Sequence, residues 1–80
     1  MKELGTMLFL VAANKQGDIL ESLKLRATTA HGAARSFLHL NHMADASLFI
    51  GRESAPRIMK FEANNGVVMF VENLGEQHWT

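Results

Sequence analysis

The chain has no cysteine and no tyrosine, one proline, one tryptophan and a formal net charge of zero. Without cysteine, disulfides and thiolate metal sites are excluded, which fits a reducing compartment. The balance of eight basic and eight acidic residues argues against a dedicated duplex-binding protein, which carries a basic excess. No long hydrophobic run occurs. The run at residues 7–13 is about seven residues long, against the roughly 20 that a helical membrane span needs. Lys2 is followed at once by Glu3, so no signal peptide is expected, and the expected location is the cytoplasm with no membrane partner. There is no P-loop, dinucleotide fingerprint or calcium loop. Ser22, Ser36, Ser47, Ser54, Asp18 and Asp45 have no spacing that would build a nucleophile elbow. An enzyme is therefore not expected, and neither is a cofactor.

What the sequence does have is two apolar segments without alternation. They are Thr6-Met7-Leu8-Phe9-Leu10-Val11-Ala12-Ala13 and Val67-Val68-Met69-Phe70-Val71. A strand sends successive side chains to opposite faces. A half-solvated strand would alternate apolar with polar, so each of these two is expected to bury both faces. Eighty residues make one domain, residues 1–80. A domain this small is marginally stable alone, and without disulfides or thiolate metals oligomerisation is the remaining common aid. One helix can cover one sheet face. A second copy of the chain is the simplest cover for the other, so a homodimer is expected.

The elements follow from local signals. Residues 6–14 form a strand, and 14–18 a turn in which Gly17 takes positive φ at little cost. Residues 19–28 form a second strand. Leu23, Leu25 and Ala27 lie on one of its faces, and Ser22, Lys24, Arg26 and Thr28 on the other. Thr28 or Thr29 caps a helix over residues 30–42. Ala30, Ala33, Ala34, Phe37 and Leu38 recur at three- and four-residue spacing, which makes a core-facing stripe. Gly32 costs about 1 kcal/mol of helix propensity, but small residues let a helix lie close on a sheet. Strands follow at 47–50 and 57–63, with Pro56 marking an edge or a first position. In the second of these, Met59 and Phe61 share one face. Asn64-Asn65-Gly66 is a turn, and the last strand spans 67–73. The tail, residues 75–80, is polar apart from Trp79 and is expected to be mobile. The order β-β-α-β-β-β predicts an α+β fold, a mainly antiparallel five-stranded sheet with one helix packed on a face.

Charge is unevenly spread. Between residues 24 and 60 the bases are Lys24, Arg26, Arg35, Arg52, Arg57 and Lys60, against Asp45 and Glu53. From Phe61 onward the charges are Glu62, Glu72 and Glu76. Lys24, Arg26, Arg52 and Arg57, joined by Arg35, are read as a basic strip for an acidic protein surface or for phosphates. Ordinary solubilising charge paired with Glu21, Glu53 and Glu62 is the competing account. His31, Arg35, His39 and His42 step by four, four and three, one stripe opposite the alanines. That stripe is a solvated face, a partner contact or a metal pair at His39 and His42, for which His78 or Asp45 would supply a third ligand. Phe9, Phe49, Phe61 and Phe70 lie on strands, where nucleic-acid modules display stacking aromatics. Their aliphatic neighbours and the lack of tyrosine place them in a core or interface instead.

The layout resembles that of several small phage-encoded inhibitor proteins, including anti-CRISPR proteins. They share a strand hairpin, an alanine-rich helix such as Ala30-His31-Gly32-Ala33-Ala34-Arg35 and a further meander. The resemblance covers architecture only and carries over no functional residue. It implies a non-catalytic binder that occludes a surface of a larger protein or nucleoprotein complex. Two alternatives stay open: a weak nucleic-acid-binding protein using the basic strip, and a small metal- or ligand-binding enzyme subunit using the helix histidines.

Overall fold

The computed structural model describes residues 5–52 and 55–76, and the side chains of all of these but 55, 56 and 76. The elements are β1 (Thr6–Ala13), β2 (Ile19–Ala27), α1 (Ala30–Leu40), β3 (Ala46–Arg52), β4 (Ala55–Asn64) and β5 (Val67–Glu76). They build the expected α+β fold. All strand pairs are antiparallel, in the order β2-β1-β3-β4-β5. After the β1–β2 hairpin, α1 crosses the sheet and returns the chain to the free side of β1. From there β3, β4 and β5 run as a meander.

The turns use the chemistry their residues offer. Asn14 Oδ1 accepts from the backbone N–H of Gln16 at 3.0 Å and of Asp18 at 2.9 Å, while Gly17 takes φ +90°. Asn65 and Gly66 both take positive φ, as a two-residue hairpin turn requires. β4 begins earlier than expected, at Ala55. The last strand also runs further than expected, through Gly75 to Glu76. Residues 77–80, on which the expectation of a mobile tail rests, lie outside the described residues.

Thr29 is the N-cap, its Oγ1 accepting from Gly32 N at 2.9 Å. The helix ends at Leu40, two residues short of the expected end. Asn41 closes it, its side-chain amide donating to the Phe37 carbonyl at 2.9 Å. His42 then takes φ +54°. His42 N donates to His39 O and Met43 N to Leu38 O, the paired bonds of a Schellman motif.

Ala33, Ala34, Phe37 and Leu38 are buried against Leu8, Leu10, Ala12, Leu48, Ile50, Phe61, Ala63 and Val68. These sheet positions share one parity, so the core lies between the helix and one face. The other face has no described helix. There Met7, Phe9, Val11 and Phe49 are half-buried. The expectation that both apolar segments bury both faces is met on one side only. β1 is covered by the helix and half-covered behind, whereas β5 leaves Val67, Met69, Phe70 and Val71 exposed.

Candidate functional site

The strand register fixes the composition of the helix-free face. Residues directly opposite on neighbouring strands point to the same side. One row across the sheet reads Lys24, Phe9, Gly51 and Ile58. The next reads Ser22, Val11, Phe49, Lys60 and Glu72. Arg26 and Met7 pair at one end. Ser47, Glu62 and Met69 lie at the other. The middle of this face is therefore apolar, with the cations Lys24 and Arg26 along the β2 margin and Lys60 beside the acids Glu62 and Glu72 on the β4–β5 side.

Two of those cations lie over the aromatic rings. Lys24 Nζ is 5.1 Å from the Phe9 ring centroid, and Lys60 Nζ is 5.8 Å from that of Phe49. Such contacts at exposed sites contribute about 0.5–1 kcal/mol each. The lysine stems lie along apolar surface while the ammonium groups stay in water. Lys60 also pairs with Glu62 at 3.6 Å, and Glu62 accepts from Ser47 Oγ at 2.7 Å. Arg26 reaches the Gly5 carbonyl at 3.4 Å.

The sequence-derived basic strip is distributed over the molecule. Lys24 and Arg26 share the helix-free face. Arg52 and Arg57 are exposed at the β3–β4 loop, at the same end of the sheet as Arg26, with Arg52 opposite Leu8. Arg35 is on the helix, on the other side of the sheet from Lys24. The aromatics divide as well. Phe61 is buried under the helix, with Phe70 edge-on to it at 5.4 Å. Phe9 and Phe49 sit on the opposite face. The partners missed by sequence reading are Lys60 and the pairing of each Phe with a lysine. Lys60 lies within the basic region, but its position over Phe49 depends on which strands are neighbours.

The histidine stripe is broken. His31 meets Phe61 edge-on at 6.0 Å, and His42 lies beyond the helix in left-handed backbone. Arg35 and His39 line an open depression with Ser36, Leu40, Met43 and Gly66. No group of three or more His, Asp or Glu among the described residues is placed to hold a metal ion. His78 lies outside those residues. A second depression, at the turn end of the sheet, includes Asp45, Ser47 and Glu62. Asp45 there accepts from Asn65 N at 2.9 Å, and Ser47 and Glu62 bond each other, so these groups serve the fold. No described helix is long and apolar enough to cross a membrane. Comparison of the chain with protein families, curated proteins and solved structures finds no match.

Proposed function

We propose that the protein is a small non-catalytic binding module, an inhibitor-like binder that occludes a surface of a larger complex. The helix-free sheet face is its docking surface. One observation carries this reading: Phe9, Val11 and Phe49 form an apolar centre bordered by Lys24, Arg26 and Lys60. Protein interfaces have this anatomy, aromatic anchors in the middle and a polar rim. The cations at the rim favour an acidic protein surface and speed the encounter with it.

A second reading has its own support. Phe9 and Phe49 lie on adjacent central strands with lysines beside them, an arrangement that suits single-stranded nucleic acid. Salt separates the two, because phosphate binding weakens steeply as salt rises. The test compares the wild type with Lys24→Glu/Arg26→Glu and Phe49→Ala. Each is used to isolate bound protein from the cells that make it, and each is titrated with a fluorescent oligonucleotide at low and moderate salt. The protein-binding reading expects one acidic partner held by the wild type and lost from both variants, with little oligonucleotide binding. Equal retention of that partner by both variants would move the site elsewhere, with the Arg35–His39 depression the next candidate. Tight oligonucleotide binding with a steep salt dependence would favour the second reading.

A further inference from the structure

The two edges of the sheet are unequally protected. β2 carries Glu21, Lys24 and Arg26 along its length. Charged side chains on an edge discourage pairing with another strand. β5 opens with Val67-Val68-Met69-Phe70-Val71, which has no charge, proline or glycine. It is last in the sheet order, so no described strand of the chain pairs with its outer side. Val67 and Met69 are each 61% exposed, Phe70 50% and Val71 45%. An apolar, unpaired edge is a template for strand addition, and a contiguous apolar patch marks an interaction site.

We propose that this edge pairs antiparallel with β5 of a second copy of the chain, joining two five-stranded sheets into one. The segment is its own best complement. With the two-fold axis at Met69, Val67 lies opposite Val71 of the copy, Val68 opposite Phe70, and Met69 opposite itself. Every side chain in the stretch then meets an apolar one, and no like charges face each other. Glu72 falls beyond the paired stretch, beside the Asn65-Gly66 turn of the copy. The register shift between Lys60 and Phe61 puts Val71 at a bulge, which ends the regular edge where the charges begin.

This interface differs from a dimer through the spare sheet face. The axis stands perpendicular to the sheet, so both helices lie on the same side. Phe70, packed on Phe61 but half-exposed, fills the gap between the two protomers on the helix side, while Val68 stays buried in its own core. On the other side the two helix-free faces become one surface. The interface is closed and isologous, and β2 with its charges stays outside it. Pairing of β2 with β5 of the next copy would instead build an open-ended fibre.

Sedimentation equilibrium of the whole chain at micromolar concentration tests this without any partner, so its outcome is independent of the binding reading. The wild type should give a dimer mass. Met69→Lys, at an exposed position, should keep its circular dichroism spectrum and weaken association at least about tenfold, since it sets two cations against each other at the axis. An equimolar mixture of Met69→Lys with Met69→Glu should restore the dimer. Met69→Cys, the only thiol such a variant would contain, should cross-link to its own copy under mild oxidation, and Lys24→Cys should not. A monomer across the whole concentration range, a dimer unaffected by Met69→Lys, or a ladder of larger species would each overturn the proposal.

Discussion

Phe37 is fully buried, the largest side chain in the core with no exposed surface. It stands between the helix and the central strands, so removing its ring leaves a cavity that an 11-residue helix cannot close by settling inward. Phe37→Ala is expected to cost about 3–5 kcal/mol, a large share of the roughly 5–15 kcal/mol typical of a folded domain. Urea unfolding should show the midpoint falling sharply, and an unchanged midpoint would mean that the helix packs differently. Gly5 is a subtler case. Its φ is +87°, and a Cβ there would lie 2.3 Å from the Ala27 carbonyl oxygen. Gly5→Ala meets both the left-handed penalty of about 1–2 kcal/mol and a backbone clash. It should destabilise by more than that penalty alone, measured by the same unfolding curves. Gly17→Ala has the positive φ but open space around it, so it should cost less. Phe37 was legible in the sequence because its spacing to Ala33, Ala34 and Leu38 is local. The need for glycine at position 5 arises from a contact with residue 27, which no local pattern reports.

The helix is secured at its two ends by different means. At the start, Thr29 Oγ1 accepts from Gly32 N, and Gly32 suits that cap because a Cβ there would lie 2.9 Å from the same oxygen. Thr29→Ala should cost about 1 kcal/mol, seen as a melting temperature lowered by several degrees. At the other end, the left-handed residue is histidine where glycine is usual. His42→Gly removes the strain of φ +54° and should raise the melting temperature, which scanning calorimetry would register. That histidine also explains why sequence reading carried the helix too far. Without a glycine the stop is set by Asn41 and the Schellman bonds, and His42 keeps the three-residue step from His39 that mimics a continuing stripe. The strands were legible where turns flank them, since Gly17 and Asn65-Gly66 announce their geometry. Their order was not. Which strand lies beside which depends on the path of the crossover through α1, and the pairing of Lys60 with Phe49 depends on that order in turn.

At the scale of the whole molecule, the sequence pattern of β5 recorded that the strand is apolar on both parities but could not say what covers it. The fold supplies half of the answer: Val68 faces the core, while its neighbours are left to solvent. Hydrogen exchange should map this unevenness. Amides in the middle of β1 and β3, around the fully buried Leu10, Leu48 and Ile50, sit between two neighbouring strands each and should exchange only through global unfolding. Outward-facing amides of β2 meet no described strand and should exchange quickly at any protein concentration. Those of residues 67–71 distinguish the monomer from the self-paired sheet. If β5 meets its own copy, their protection is a binding equilibrium and follows mass action, so about tenfold dilution across the dissociation constant should speed their exchange and leave β1, β2 and β3 unchanged. Fast exchange of these amides at every concentration would show the β5 edge to be uncovered. A concentration-dependent change in β2 instead would put the contact at the opposite edge, against the charges that line it.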